Sequence, residues 1–243
     1  MINSQKILII VPAFNESGNI ARTVREILAL PIPSVVLVID DGSSDSTARE
    51  AASAGALVVL LPFNLGIGGA VQTGFKFAYE HHYDIAIQVD GDGQHDVSYV
   101  PQLIEPIQLG RADMVVGSRF LDEQRGFRSS FLRRVGIHFF ANLIGFLTGC
   151  EVTDPTSGFR ACNKKLIKAF AGYYPQDFPE PEAIVVAKRL DARIVEVPVV
   201  MRAREAGFSS IRRFKSFYYM IKVTFAILLN MMQDRRVSEE HVD

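Results

Sequence analysis

The sequence predicts an α/β fold in which helices flank a mostly parallel central sheet, and it predicts a single domain. Through the first half of the chain, short apolar runs alternate with longer segments that begin at helix-capping residues. A polar or glycine-rich segment follows each apolar run. The 243 residues, 48% of them hydrophobic and 22% charged, are enough for one sizeable core.

Five apolar runs in the first half are predicted to be strands because they are short, continuous and bounded by turn residues. They comprise residues 6–11, 34–39, 57–61, 85–89 and 114–117. Helices are predicted from an Asn15 or Ser17 cap to about residue 29, from a Ser44 or Asp45 cap to about 54, from the glycine-rich loop to about 82, and over about 97–109. This alternation implies right-handed crossovers and therefore parallel strands.

Polar segments stand where these strands end, and in such sheets ligands bind beyond the carboxyl ends of the strands. The segments are 12–16, 40–41, 64–69, 90–94 and 118–119. We therefore expect them to converge on one edge of the sheet and to form the binding site there.

The most informative of these segments follows the strand at 85–89. Asp90 and Asp92 are separated by one glycine, and side chains alternate along an extended segment, so both carboxylates can face the same way. Two like charges held together are costly unless a cation lies between them. Mg²⁺ or Mn²⁺, which prefer oxygen ligands and also bind substrate phosphates, are the natural candidates. A solvated acidic turn is the alternative.

The glycine-rich loop at 64–69 does not match either common phosphate-binding motif. It lacks the Gly-Lys-Ser/Thr ending of a P-loop, and it follows the third strand, whereas a dinucleotide fingerprint belongs to the first. Taken alone, the loop is best interpreted as a tight turn between a strand and a helix.

The second half of the chain is less regular. We predict a helix over 130–148 that carries Arg133 and Arg134, a polar turn over 153–160 leading into a short strand, a helix after 178–182 that runs to about 189, and a strand over 194–200. No linker or internal repeat marks a second domain. We therefore assign residues 1–211 to one domain and residues 212–243 to a basic and apolar C-terminal helix with an acidic tail.

The C-terminal helix is predicted over residues 217–232, a length of about 24 Å that is short of a bilayer core. Basic residues flank it and suit an anionic membrane surface; they are Arg212, Arg213, Lys215, Arg235 and Arg236. We favour binding in the membrane interface, and a helix that covers the protein's own sheet is the alternative.

Composition excludes several classes of protein. The formal net charge of −1 gives no reason to expect nucleic-acid binding. Two cysteines, Cys150 and Cys162, do not suggest a disulfide framework and fit a reducing cytosol. The first apolar run is too short for a signal peptide, and no apolar run is as long as eighteen residues.

Six motifs in order along the chain resemble those of family 2 glycosyltransferases with the Rossmann-like GT-A fold, especially the dolichyl- and polyprenyl-phosphate sugar transferases. The motifs are VPAFNE at 11–16, IDDGSSD at 39–45, NLGIGG at 64–69, DGDGQH at 90–95, GSR at 117–119 and DPTSGFR at 154–160. Each motif is weak alone, but six in the family's order make a chance similarity improbable. The resemblance covers the chain from residue 11 to about residue 213.

The resemblance implies a site for a nucleotide-diphosphate sugar and a divalent cation. The implied donor-binding residues are Pro12, Phe14, Glu16, Asp41, Gly66, Gly69, Asp90 and Asp92. The cation, Mg²⁺ or Mn²⁺, would lie among Asp90, Asp92 and Gln94. The residues implied in catalysis are Asp92, Arg119 and Glu182, and those implied around an acceptor phosphate are Arg119, Arg134, Ser157 and Arg160.

The implied activity is inverting transfer of a sugar from a UDP-, GDP- or dTDP-sugar to a polyprenyl phosphate. The enzyme would lie on the cytoplasmic face of the membrane as a peripheral protein, with an integral membrane protein as a possible partner. Transfer to a saccharide hydroxyl is the alternative, and it needs a base, for which Asp177, Glu180 and Glu182 are candidates. Two other classes stay open: a nucleotidyltransferase, and a catalytically silent nucleotide-sugar-binding subunit of a membrane complex.

Overall fold

The computed structural model describes residues 5–121, 131–202 and 222–227, without the side chains of 131–133. Seven strands form one sheet. They are β1 (Ile7–Ala13), β2 (Ser34–Asp40), β3 (Leu57–Leu60), β4 (Ile85–Gln88), β5 (Met114–Ser118), β6 (Arg160–Asn163) and β7 (Ile194–Pro198).

The strand order across the sheet is β3-β2-β1-β4-β6-β5-β7. Every pairing is parallel except those of β6, which runs antiparallel to both β4 and β5. The first residue of β6, Arg160, therefore lies beside Gln88, the last residue of β4. The predicted mostly parallel sheet is confirmed, and the insertion of β6 brings the 154–160 turn to the edge where the parallel strands end.

Seven helices connect the strands. They are α1 (Ile20–Leu28), α2 (Thr47–Ser53), α3 (Gly66–Glu80), α4 (Val100–Gln108), α5 (Phe131–Thr148), α6 (Lys164–Gly172) and α7 (Pro179–Arg189). The sequence prediction missed α6, although Asn163 caps it by accepting a hydrogen bond from the Leu166 N–H at 3.2 Å.

Two apolar cores fill the space on either side of the sheet. One core joins the sheet to α3, α6 and α7. The rings of Phe75 in α3, Phe170 in α6 and Tyr174 just after α6 meet in it at 5.1–5.4 Å. The other core joins the opposite face of the sheet to α1 and α4. Gly74 lets α3 approach β1 closely, because a Cβ atom there would collide with the Ile10 side chain.

The structure describes only part of the predicted C-terminal helix. Residues 222–227 are helical; Val223 and Ile227 are fully buried in the core with α3, α6 and α7, whereas 63% of Phe225 is exposed. The proposed domain boundary at residue 211 and the basic residues that flank the helix lie outside the described residues. Within the described part of the chain, no helix is long and apolar enough to cross a membrane.

Candidate active site

Hydrogen bonds join the loops that follow β1 and β2 at the carboxyl edge of the sheet. Asn15 has a left-handed backbone (φ 54°), its N–H donates to Ser43 Oγ at 2.9 Å, and its Oδ1 accepts from the Ser44 N–H at 2.9 Å. The Glu16 N–H donates to Thr47 Oγ1 at 2.9 Å. These hydrogen bonds hold the segment at 12–16 against the acidic segment after β2. Phe14 is exposed there, and Pro12 is buried.

Asp41 connects these two segments to the glycine-rich loop. Its Oδ1 accepts from the Leu65 N–H at 2.7 Å, and its Oδ2 accepts from the Gly66 N–H at 2.9 Å. These two amides lie at the N-terminus of α3, where a backbone N–H has no partner within the helix. The Asp41 carboxylate accepts their hydrogen bonds, and its negative charge interacts favourably with the positive end of the helix dipole. We expected Asp41 to line the donor pocket; the structure shows that its two oxygens hold the start of α3 in place, and a contact with the nucleotide stays a prediction.

The glycine-rich loop is shaped by close contacts. Gly66 has a left-handed backbone (φ 82°), and a Cβ atom on Gly68 would enter the backbone of Pro175 and Gln176. Gly69 packs against Leu65, because a Cβ atom there would be 2.5 Å from the Leu65 Cβ. Contact of Gly66 and Gly69 with the donor stays a prediction.

Asp90, the first of the two central aspartates, has 37% of its side chain exposed. Its Oδ1 accepts from Gln88 Nε2 at 3.3 Å, and its backbone N–H donates to His95 Nδ1 at 3.0 Å. Gly158 lies against its carboxylate, because a Cβ atom there would be 3.2 and 3.3 Å from the two Asp90 oxygens. The orientation of Asp90 is therefore set by residues from β4, the following turn and the 154–160 turn.

Asp92 and Gln94 are partly exposed on the same turn. Asp92 Oδ1 accepts from the Gln94 N–H at 3.0 Å, and Gly93 between them has a left-handed backbone (φ 74°). Carboxylate and amide oxygens fit a hard divalent cation, which needs only one or two protein carboxylates when phosphates complete its shell. Within the described residues there is no cluster of three acidic, histidine or cysteine side chains that would hold a metal on its own. The turn therefore suits a cation that arrives with a diphosphate.

Arg119 follows β5 and is buried, with 7% of the residue exposed. Its guanidinium forms a bidentate ion pair with Asp154, in which Nε donates to Oδ2 at 2.6 Å and Nη2 donates to Oδ1 at 2.7 Å. Nη2 also donates to Thr156 Oγ1 at 2.9 Å. We expected Arg119 to meet phosphate, with a surface ion pair as the alternative. The structure shows a buried ion pair, so a direct contact with phosphate stays a prediction.

The 154–160 turn is held by its own polar side chains. Arg160 is 3% exposed; its Nε donates to the Ser157 carbonyl at 2.6 Å, and its Nη2 donates to the Pro155 carbonyl at 2.9 Å. Glu196 of β7 accepts from the N–H groups of Thr153 and Asp154. Ser157 and Arg160, both expected at an acceptor phosphate, are thus buried parts of the turn's framework, and that role stays a prediction.

Three carboxylates were candidates for a base, and the structure separates them. Asp177 is exposed, Glu182 is buried with 5% of the residue exposed, and Glu180 is partly exposed at the start of α7. Desolvation raises the pKa of Glu180; the charge of Arg160 opposes this shift, and the charge of Asp90 adds to it. The charge of Glu180 therefore interacts with that of Asp90, which the sequence did not reveal.

Arg134, expected at the acceptor phosphate, is exposed on α5, and that role stays a prediction. It is one helical turn before His138, whose ring centroid is 6.4 Å from that of Phe120. The Arg119 guanidinium lies 5.7 Å from the Phe120 ring, so α5 is connected to the site through this phenylalanine.

A mostly parallel sheet with an Asp-Gly-Asp turn at its carboxyl edge is the arrangement of the GT-A-like fold class. Residues 8–170 match the family described as Glycosyl transferase family 2. This match spans more than half of the chain, and the chain belongs to that family.

Several relatives resemble this chain over most of their length. A Methanocaldococcus jannaschii protein to which no activity is assigned is 35% identical over 82% of both chains. The UDP-N-acetylglucosamine–dolichyl-phosphate N-acetylglucosaminyltransferase of Methanococcus voltae is 29% identical, over 92% of this chain and 98% of its own. The undecaprenyl-phosphate mannosyltransferase of Micrococcus luteus is 30% identical, over 84% and 86%.

Solved structures confirm the GT-A-like fold. Glucosyl-3-phosphoglycerate synthase of Mycobacterium tuberculosis, in complex with Mn²⁺, UDP and phosphoglyceric acid, has a TM-score of 0.68 and 23% identity over 93% of this chain and 78% of that chain. The same enzyme in complex with Mg²⁺ and UDP has a TM-score of 0.66 and 22% identity, over 93% and 79%. At these identities the likeness concerns the fold alone.

Proposed function

We propose that this protein transfers a sugar, with inversion, from a nucleotide-diphosphate sugar to a polyprenyl phosphate, and that it works on the cytoplasmic face of the membrane. The observation that carries the proposal is the similarity to the Methanococcus voltae dolichyl-phosphate transferase, which extends over 92% of this chain and 98% of that enzyme. The similarity therefore covers the donor motifs and the second half of the chain.

The donor half of the reaction rests on the turn at residues 90–94. Negative charge grows on the diphosphate as the bond to the sugar breaks, and a bound Mg²⁺ or Mn²⁺ would neutralise that charge. Asp90, Asp92 and Gln94 supply oxygens for the cation, and Asp90 is held in a fixed direction by Gln88 and Gly158. Oxygens fixed before the reaction need no reorganisation during it, which is the main advantage of a preorganised site.

The acceptor half needs no strong base when the acceptor is a phosphate. A phosphate monoester has a second pKa of about 6 and is substantially ionised near neutral pH, so its oxygen already carries the attacking charge. The exposed Arg134 on α5 supplies a positive charge, and α5 is connected to Arg119 through His138 and Phe120. We assign the acceptor phosphate to this side of the site.

A saccharide hydroxyl is the second candidate acceptor, and one observation favours it. Glu180 has a raised pKa and its charge interacts with that of Asp90, and a carboxylate in such surroundings is suited to take a proton. A base of this kind typically contributes about 10²- to 10⁴-fold to the rate.

The acceptor class is tested by removing each carboxylate in turn. With polyprenyl phosphate as acceptor, we expect Glu180→Gln, Glu182→Gln and Asp177→Asn each to lose less than about 10-fold in turnover, well below the contribution of a base. Turnover is measured on polyprenyl phosphate and on a lipid-linked sugar with the same donor. A collapse confined to one variant, together with preference for the hydroxyl acceptor, would assign the protein to the polysaccharide-extending enzymes.

We also propose that α5 faces the membrane. Its exposed side carries Val135, Phe139 and Phe146, the last with 88% of the residue exposed, and Phe225 adds another exposed ring. Exposed apolar side chains beside Arg134 suit the boundary between lipid headgroups and acyl chains.

The membrane proposal is tested by sedimentation with anionic vesicles. We expect the protein to pellet with them at low salt and to be released as salt rises, because salt screens the attraction between basic residues and lipid. A Phe139→Ser, Phe146→Ser double variant should bind more weakly, whereas Leu60→Ser, which removes a similarly exposed apolar side chain from edge strand β3, should bind normally. Equal binding by all three proteins would refute a role for α5.

A further inference from the structure

His95 closes the turn that carries Asp92 and Gln94. The Asp90 N–H donates to His95 Nδ1 at 3.0 Å, so Nδ1 carries a lone pair and the ring proton is on Nε2. Nε2 lies 3.6 Å from Asp90 Oδ2. One imidazole thus contacts both the backbone and the carboxylate of the residue five positions earlier, and it does so while only 3% exposed.

The ring itself is held from two sides. It stacks on Phe159, with centroids 4.8 Å apart and planes 12° from parallel, and Phe159 is fully enclosed, with 1% exposed. On its backbone side, His95 forms an antiparallel bridge with Met201, and the neighbouring Gln94 carbonyl accepts from the Arg202 N–H at 2.8 Å. The imidazole therefore has little freedom to rotate. Because other residues set its position, its hydrogen bond orients the Asp90 backbone.

We infer that His95 is a positioning residue for the cation-binding turn. It fixes the backbone of Asp90, directs Asp90 Oδ2, and connects the two ends of the loop on which Asp92 and Gln94 lie. The inference rests on the proposed function in one respect, that this turn binds a divalent cation. If His95 only filled space, an aromatic ring without a nitrogen lone pair could replace it. Substitutions can therefore distinguish packing from hydrogen bonding.

Three substitutions separate the lone pair from the packing. His95→Phe keeps a flat ring for Phe159 and removes both polar contacts. His95→Asn places an amide oxygen near the position of Nδ1, where it can accept from the Asp90 N–H. His95→Gln places its amide near Nε2 instead. His81→Phe is the matched control, because His81 is an exposed histidine at the end of α3.

The first measurement is Mn²⁺ binding, followed by the electron paramagnetic resonance of free Mn²⁺ with UDP present. We expect His95→Phe to weaken binding by about 10- to 100-fold, the usual effect of losing a group that orients a metal ligand. His95→Asn should recover most of the affinity, and His81→Phe should match the wild type. Wild-type affinity in a folded His95→Phe protein, or equal weakening in the Asn and Phe variants, would overturn the inference.

The second measurement is hydrogen exchange at the Asp90 amide, which reports the same contact without any metal. Exchange should be fast in His95→Phe and slow in the wild type and in His95→Asn. If the Phe variant does not fold, the Asn and Gln variants decide: Asn must protect the amide better than Gln. If the wild type binds no Mn²⁺ with UDP, GDP or dTDP present, the cation proposal fails. Amide exchange that is equally slow in all variants would separately refute the role of His95.

Discussion

Asp92→Asn is expected to lower sugar transfer by at least about 10²- to 10³-fold, the effect of removing one preorganised electrostatic group from an active site, while leaving the fold intact. The substitution removes a negative charge from a partly exposed oxygen donor set, and a cation binds a neutral amide more weakly than a carboxylate. It retains an Oδ1 that can still accept from the Gln94 N–H, the bond that shapes the turn. Turnover at limiting Mn²⁺ and the Tm of the variant are the two measurements.

The matched control for Asp92→Asn is Asp96→Asn on the same loop. Asp96 accepts from the Ser98 N–H at 3.1 Å, and an asparagine can continue to do so. The control also removes one negative charge close to the turn, so it separates a general loss of charge from the loss of a cation ligand. Near-normal turnover of a folded Asp92→Asn protein at limiting Mn²⁺ would contradict the assignment of Asp92.

Asp154→Asn is expected to have the largest effect on stability, a loss of about 3–5 kcal/mol in the free energy of unfolding. Asp154 is fully buried and its two oxygens face Nε and Nη2 of Arg119, so the substitution leaves a buried guanidinium without its charge partner. The measurement is urea unfolding of the wild type, Asp154→Asn, Arg119→Met and the double variant. Because the two groups form one unit, we expect the double variant to lose much less than the sum of the single losses.

The control for this pair is an exposed one. Arg111 Nη2 lies 3.7 Å from Glu105 Oε1, with 62% and 66% of the side chains exposed, and Glu105→Gln should change stability by no more than about 1 kcal/mol. A loss of under about 1 kcal/mol in Asp154→Asn would show that the buried pair has no special importance. Strict additivity in the double variant would show that the two residues act independently.

The sequence predicted most of the sheet and the edge at which its polar segments meet. Continuous apolar runs identified five strands to within a few residues, and capping residues identified most helices. The same patterns missed α6, which is short and follows a strand without a turn, and they extended the strand at 85–89 one residue too far. Local periodicity does not resolve such boundaries, because hydrogen-bond partners elsewhere in the chain decide where a strand ends.

What the sequence by itself determined is the edge of the sheet at which the polar segments converge. Parallel strands send their carboxyl ends to the same edge, so Asp90 and Asp92 had to lie near the segments that follow β1 and β2. Which polar side chain serves which partner was decided only by the tertiary structure. Arg119 and Asp154 are 35 residues apart, and their pairing depends on β6 running antiparallel between β4 and β5.

The partners of the carboxylates and of His95 were also decided by the tertiary structure. The sequence identifies these residues but does not show which groups surround them. The tertiary structure places Glu180 where its charge interacts with that of Asp90, and it shows that His95 stacks on Phe159 and accepts a hydrogen bond from the Asp90 N–H. Periodicity reports which residues face a core, because burial repeats along an element. Pairing between distant polar groups has no such repeat, and only the packed chain determines it.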